Sequence, residues 1–165
     1  MRIPIEGQRR SRYRTQIDYA RGVSVEVLIV AEEEFLPKYA NPGDAGADLK
    51  STEDIVIPAR SRALVHTGVK IALPNGYVAL VHPRSGLAAK NGITVLNTPG
   101  TVDAGYRGEL MVTLFNSSDE DFSVRRGDRI AQLVIQQVEA ARFVQVTELP
   151  ESERGARGFG STGRN

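Results

Sequence analysis

Residues 74–96 read Pro74-Asn75-Gly76-Tyr77-Val78-Ala79-Leu80-Val81-His82-Pro83-Arg84-Ser85-Gly86-Leu87-Ala88-Ala89-Lys90-Asn91-Gly92-Ile93-Thr94-Val95-Leu96. The Pro-Asn-Gly opening is turn chemistry, because Pro presets φ and Asn and Gly tolerate positive φ. Tyr77 to Val81 and Ile93 to Leu96 carry the β-branched and aliphatic composition of strands. Between them, Ser85 to Gly92 breaks the β pattern. Ser85 is a good N-cap residue, Leu87 to Lys90 are helix formers with a cation near the end, and Asn91-Gly92 is a stop signal. The stretch predicts one short helix set between strands.

The same punctuation extends outward. Val23 to Val30, Ile55 to Ile57, Ala63 to His66, Leu110 to Phe115 and Ile130 to Val138 are further β-rich segments. Pro42-Gly43-Asp44 and Arg126-Gly127-Asp128 add turns between them, and neither an internal repeat nor a βαβ rhythm is present. This pattern predicts an antiparallel all-β barrel or sandwich. A chain of 165 residues suits one domain with a real core. We divide it into a basic N-terminal extension (1–22), a β-barrel domain (23–150) and a flexible C-terminal arm (151–165).

Composition excludes several function classes. Cysteine is absent, which removes a disulfide framework, a thiolate metal site and a Cys nucleophile, and fits a cytoplasmic setting. The apolar run Val27 to Ala31 is far too short for a membrane span, and no signal-peptide apolar region follows the first basic residues. The formal net charge of +1 argues against a generally nucleic-acid-binding surface. Residues 1–22 hold six arginines against Glu6 and Asp18. That arm lacks aromatic interleaving beyond Tyr13 and Tyr19, so it reads as a solvated extension. His66 and His82, on separate strands and without a paired ligand motif, read as solvated or barrel-facing rather than zinc-binding. Glu32-Glu33-Glu34 reads as a solvated turn. Arg126-Gly127-Asp128 reads as a hairpin turn, not an adhesion signal.

Four segments carry chemistry. Arg157-Gly158-Phe159-Gly160-Ser161-Thr162-Gly163 joins a cation and an aromatic ring to a glycine-rich, hydroxyl-rich backbone. Its N–H groups can approach phosphate oxygens while Phe159 offers a face to a base. Alone, such a segment is more often a flexible terminus. The start of the predicted helix matches it, because Arg84, the Ser85 hydroxyl and first-turn N–H groups converge where an anion binds. Gly100-Thr101-Val102-Asp103-Ala104-Gly105-Tyr106-Arg107-Gly108-Glu109-Leu110 reads as a polar hairpin with Asp103 near its apex. Such a lone carboxylate can deprotonate a water for attack on phosphorus, or can simply serve its own turn. In Asp44-Ala45-Gly46-Ala47-Asp48-Leu49, turn chemistry suits Asp44, and Asp48 is the better candidate to face a hydrated Mg2+.

Taken in order over residues 44–163, these segments resemble the homotrimeric dUTPase family. The five motifs are Asp44 to Leu49, Pro83 to Ala88, Gly100 to Leu110, Gly127-Asp128-Arg129-Ile130-Ala131-Gln132-Leu133-Val134, and Arg157 to Gly163. Single motifs are weak, whereas five in register are specific. The resemblance implies a distorted β-barrel or jelly-roll-like fold, assembled as a homotrimer. Active sites would lie at subunit interfaces, each completed by a C-terminal arm from another copy. It implies dUTP as substrate, Mg2+ on the triphosphate with Asp48 reaching it through water, and Asp103 as the base for attack on the α-phosphorus. Pyrophosphate and dUMP would be released, keeping uracil out of DNA and supplying dUMP for dTMP synthesis.

The resemblance also implies that Tyr106 packs against the deoxyribose so that a ribose 2′-hydroxyl clashes. Asn97, Thr101, Val102 and Met111 would meet the uracil, and Arg84, Ser85, Gly86 and Gln132 the phosphates. Phe159 would stack over the base, and Arg157, Gly160, Ser161 and Thr162 would complete the phosphate grip. Ala47 stands where many relatives carry a larger residue, and Arg107 and the Ala104-Gly105 pair also vary. Two alternatives are a non-catalytic deoxynucleotide-binding regulator and a dCTP deaminase-related enzyme. The latter would need a Glu after the aromatic residue, where this chain has Arg107.

Overall fold

In the computed structural model the described residues are 24–152 and Gly155. In chain order the elements are β1 (Leu28–Val30), a 3-10 turn (Glu33–Phe35), β2 (Ala47–Lys50), β3 (Ile55–Ile57), β4 (Arg62–Val65), β5 (Lys70–Ala72) and β6 (Tyr77–His82). They continue with α1 (Ser85–Asn91), β7 (Ile93–Val95), β8 (Gly100–Val102), β9 (Val112–Asn116), β10 (Phe122–Val124) and β11 (Arg129–Gln137). The strands form one sheet in the order β2-β11-β6-β8, a second in the order β4-β9-β7, and the pairs β1-β5 and β3-β10. Every one of these pairings is antiparallel. The result is the expected all-β, jelly-roll-like barrel with one short helix.

Alternation explains the core. On β9 the pattern is buried, intermediate, buried, intermediate, buried, so Val112, Leu114 and Asn116 face inward. They meet Leu49, Ile57, Val65, Ile93 and Ile130, all essentially without exposure. Each such aliphatic side chain contributes about 1.5–3 kcal/mol by leaving water. Asn116 is a satisfied polar hub in this layer. Its Nδ2 donates to the carbonyls of Ile57 (3.0 Å) and Glu120 (2.8 Å), and its Oδ1 accepts from the Ser118 backbone N–H (3.0 Å).

Some local expectations are corrected. Ser85 is the first helical residue rather than the cap; Arg84 takes the N-cap position in extended conformation, without a side-chain cap bond. Gly92 does end the helix, at φ 67°. Of Val23 to Val30 only Leu28–Val30 is strand among the described residues. The Gly100–Leu110 segment is not a hairpin, because β8 pairs with β6 while β9 pairs with β4 and β7. Arg126-Gly127-Asp128 likewise links β10, paired with β3, to β11, paired with β2 and β6. Turn residues set a local reversal, but burial of each strand's apolar face chooses its partner. Glu32-Glu33-Glu34 is more than a solvated turn, since Arg126 lies against Glu32 (3.4 Å) and Glu34 and stacks 4.4 Å from the Phe35 ring centroid.

β11 contains the feature that shapes the site. Its register to β2 shifts between Arg129 and Ala131, so that Ile130 and Ala131 are both buried while Arg129 and Gln132 are not. A bulge inserts one residue and re-aims the side chains beyond it. Strict alternation would put Arg129 and Gln132 on opposite faces; the bulge places both on the outer one.

Candidate active site

Two clefts hold all of the proposed site residues that lie among the described residues. The first is lined by Val81, Val95, Asn97, Gly100, Thr101, Val102, Asp103, Tyr106, Glu109, Leu110, Met111 and Val112. Its volume is about 190 Å³, below the roughly 300–1,000 Å³ of drug-sized pockets, which suits a base and sugar better than a whole nucleotide. Exposed Asp103 stands at its rim, and among the described residues no hydrogen bond reaches its carboxylate. The backbone is set by a tight turn, with the Tyr106 N–H donating to the Asp103 carbonyl at 3.0 Å.

Tyr106 is held from both sides. Its hydroxyl donates to the Glu109 carbonyl at 2.9 Å. Its ring lies over Gly108, where an added Cβ would come within 2.6 Å of Cζ. Gly108→Ala should therefore push the Tyr106 ring out of this position while changing stability by no more than about 0.5 kcal/mol, as at ordinary surface positions, because the atoms met are the far end of an exposed side chain that can swing away. The chain has no Trp, so near-UV circular dichroism can follow the aromatic displacement beside a melting curve. An unchanged near-UV spectrum would show that the ring does not need this space.

The second cleft is lined by Ala40, Asp44, Ala45, Gly46, Asp48, His82, Arg84, Ser85, Gly86, Arg129, Gln132 and Val134. Asp48, Gln132 and His82 form one cross-strand row over β2, β11 and β6. Asp48 is the electrostatic centre, with one carboxylate oxygen 3.1 Å from Arg84 Nε and the other 3.0 Å from an Arg129 guanidinium nitrogen. Arg84 also donates to the Arg129 carbonyl at 3.0 Å. Gln132 donates through Nε2 to the Pro83 carbonyl at 3.0 Å and keeps a second hydrogen for a ligand. An added Cβ on Gly46 would fall 2.5 Å from Gln132 Oε1, so the bare backbone there gives Gln132 its position. Asp44 serves its own turn, accepting the Asn41 N–H at 2.7 Å.

At β6 the two clefts take opposite faces of the sheet. Val81 lines the first and His82 the second, and consecutive strand residues point to opposite sides. The two clefts share no lining residue. The chain therefore brings Asn97, Thr101, Val102, Asp103, Tyr106 and Met111 together, and separately Asp48, Arg84, Ser85, Gly86 and Gln132. Arg157, Phe159, Gly160, Ser161 and Thr162 lie outside the described residues.

Arg129 and Glu109 lie within the sequence motifs but are given no role by them, and His82 reads from sequence only as solvated or barrel-facing. Arg129 was hidden by the bulge, and His82 only gains meaning from its register with Gln132. Behind the first cleft, Glu109 accepts the N–H groups of Thr67 (3.1 Å) and Gly68 (2.8 Å) on Oε1 and lies 3.1 Å from His66 Nδ1 on Oε2. Burial pushes the Glu109 carboxyl up, but the Gly68 N–H, the His66 hydrogen bond and charge, and the Thr67 N–H together hold it below its ordinary value. The hydrogen bond to Glu109, then its charge, raise His66.

A sequence profile of the family described as dUTPase matches residues 32–163. The chain is 60% identical over 142 residues to the deoxyuridine 5'-triphosphate nucleotidohydrolase of Thermobifida fusca (strain YX), covering 86% of this chain and 79% of that protein. It is 59% identical over 149 residues to the protein of the same name from Bifidobacterium longum subsp. infantis, covering 88% and 94%. Among solved structures, a mutant dUTPase of Staphylococcus bacteriophage 80alpha with dUpNHpp superposes with a TM-score of 0.78 at 28% identity, over 85% of this chain and 99% of that one. A mutant dUTPase from phage phi11 of S. aureus, in which a structural Mg(II) ion is coordinated, gives 0.69 at 26% identity over 76% and 99%.

Proposed function

The chain belongs to the dUTPase family and is an enzyme of that kind, and we propose that it hydrolyses dUTP to dUMP and pyrophosphate by water attack on the α-phosphorus with Asp103 as base. The observation that carries this reading is the Asp103 carboxylate, unpaired among the described residues, at the mouth of a cleft sized for a base and sugar. A carboxylate with no internal partner is free to take a proton from water. Asn97, Thr101, Val102 and Met111 meet the uracil, and the Tyr106 ring leaves no room for a ribose 2′-hydroxyl. Arg84, Ser85, Gly86 and Gln132 take the phosphates, with Arg129 beside them. Phe159, Arg157, Gly160, Ser161 and Thr162 close over the nucleotide from the C-terminal arm.

Because the two clefts share no lining residue and take opposite sides of β6, the base and the triphosphate are better seated by two different chains than by one. This supports a homotrimer in which each site takes its base cleft from one copy and its phosphate cleft from another. After β11 the chain exposes Phe143, Val144, Val146 and Leu149, at 95%, 61%, 56% and 85%. Apolar side chains left without cover in their own chain suit an arm that lies on a neighbour.

The donor set fits Mg2+ arriving on the triphosphate. Among the described residues no cluster of three or more His, Asp or Glu forms a metal cage, and Mg2+ characteristically uses one or two carboxylates with waters and substrate phosphates. Asp48 is the carboxylate that would face it through water. The ion would supply neutralisation of the phosphate charge. Arg107 donates to the carbonyls of Ala104 (2.6 Å) and Tyr106 (2.7 Å) and is committed to shaping its loop, which speaks against a deaminase. In the cell the reaction would keep uracil out of DNA and supply dUMP for dTMP synthesis.

The test is pyrophosphate release with Mg2+ from dUTP beside UTP, dTTP and dCTP, while following ammonia. Release from dUTP alone is expected. Ammonia from dCTP would point to the deaminase, and tight dUTP binding without turnover to a regulator.

A further inference from the structure

We propose that Glu109 is the positioning residue for Tyr106, holding the sugar-selecting ring from behind through its own backbone carbonyl. This rests on Tyr106 being the residue that rejects ribose. The Tyr106 hydroxyl is fastened to the Glu109 carbonyl, so the ring is only as well placed as that carbonyl.

Residues 66–69 fix it. Glu109 Oε1 receives two successive backbone N–H groups, from Thr67 and Gly68, and Oε2 faces His66. Successive N–H groups aimed at one oxygen make a small anion-holding concavity, and Gly68 reaches it at φ 68°, a left-handed conformation that costs glycine little. The next residue is tied to the same loop. The Leu110 N–H donates to the Val69 carbonyl at 2.8 Å, and the buried Thr67 hydroxyl donates to the Leu110 carbonyl. Glu109 thus stands between the base cleft and a third cleft lined by Glu32, Phe35, Thr52, His66, Gly68 and Arg126. Its side chain serves the loop behind while its carbonyl serves the ring in front. An acidic side chain at this position needs no contact with substrate to affect which sugar is accepted.

The test compares kcat/KM for dUTP and UTP in four variants of the full chain. Tyr106→Ala should raise use of UTP, which verifies the premise. Glu109→Met keeps the stem but removes the acceptors, and Tyr106→Phe removes the hydroxyl at the other end. Each should lower the dUTP preference by about 10-fold, within the range by which misplaced groups alter rates. Part of that change should be an absolute gain in kcat/KM for UTP, which a loss of folded protein cannot produce. Glu109→Gln retains an acceptor for Thr67 and Gly68 and should keep most of the preference. Should Glu109→Met fail to fold, Tyr106→Phe decides alone. If Tyr106→Ala relaxes the preference while Tyr106→Phe and Glu109→Met leave it at the parental value, the tether is refuted and the role of Tyr106 stands. If Tyr106→Ala itself keeps the preference, the reading of Tyr106 fails and the proposal with it.

Discussion

Asp103→Asn is expected to lower kcat for dUTP by about 10²–10⁴, the contribution typical of a positioned general base, while the protein still binds the nucleotide. Asn matches Asp in size and can stay in the same turn, because the turn is closed by the Asp103 backbone carbonyl and not by its carboxylate. Among the described residues the side chain has no partner to lose, so stability should change by no more than about 0.5 kcal/mol, as at ordinary surface positions. Pyrophosphate release measured beside calorimetric titration with a non-hydrolysable dUTP analogue separates chemistry from binding. Turnover at the parental rate would remove Asp103 from the mechanism, and loss of analogue binding would make it a ligand-holding residue instead.

Deleting residues 151–165 is expected to reduce turnover by about 10²–10³, the range for removing transition-state donors, and to leave a folded assembly. In the proposed site Arg157, Ser161, Thr162 and the glycine N–H groups would offer several such donors, and Phe159 would cover the base. The core does not need them, since its cluster runs from Leu49 to Leu133 and β11 ends at Gln137. Val138 still donates to the Gly76 carbonyl at 2.9 Å, but Phe143 and Leu149 beyond it bury almost nothing in their own chain. Sedimentation and circular dichroism would check the assembly while pyrophosphate release reports the loss. Full activity in the shortened chain would refute the role of the arm.

Much of the architecture was legible because turn residues and side-chain alternation are local signals. Asn91-Gly92 marked the helix end, Gly127 takes φ 88° where a turn was read, and Leu110 to Phe115 anticipated β9. Partner choice was not legible, because it depends on burial far along the chain. Hence Gly100 to Leu110 read as a hairpin while it in fact crosses between two sheets. Arg129, within the fourth motif, is given no role by the sequence for a related reason: period-two reading assigns it the face opposite Gln132, and only an extra residue in the register reverses that. Gly108 shows a different limit. Its need for empty space comes from a ring two residues away that folds back over it, which neither propensity nor periodicity encodes.

If, as proposed, the base and the triphosphate are seated by different copies, each chain supplies halves of two different sites. In a cell carrying two alleles, one crippled in the base cleft and the other in the phosphate cleft, mixed rings of the proposed trimer would still assemble some intact sites, whereas either allele alone would yield none. Recessive lesions would then sort into two complementation groups divided by the sheet, and β6 would contribute neighbouring codons to both, at Val81 and His82.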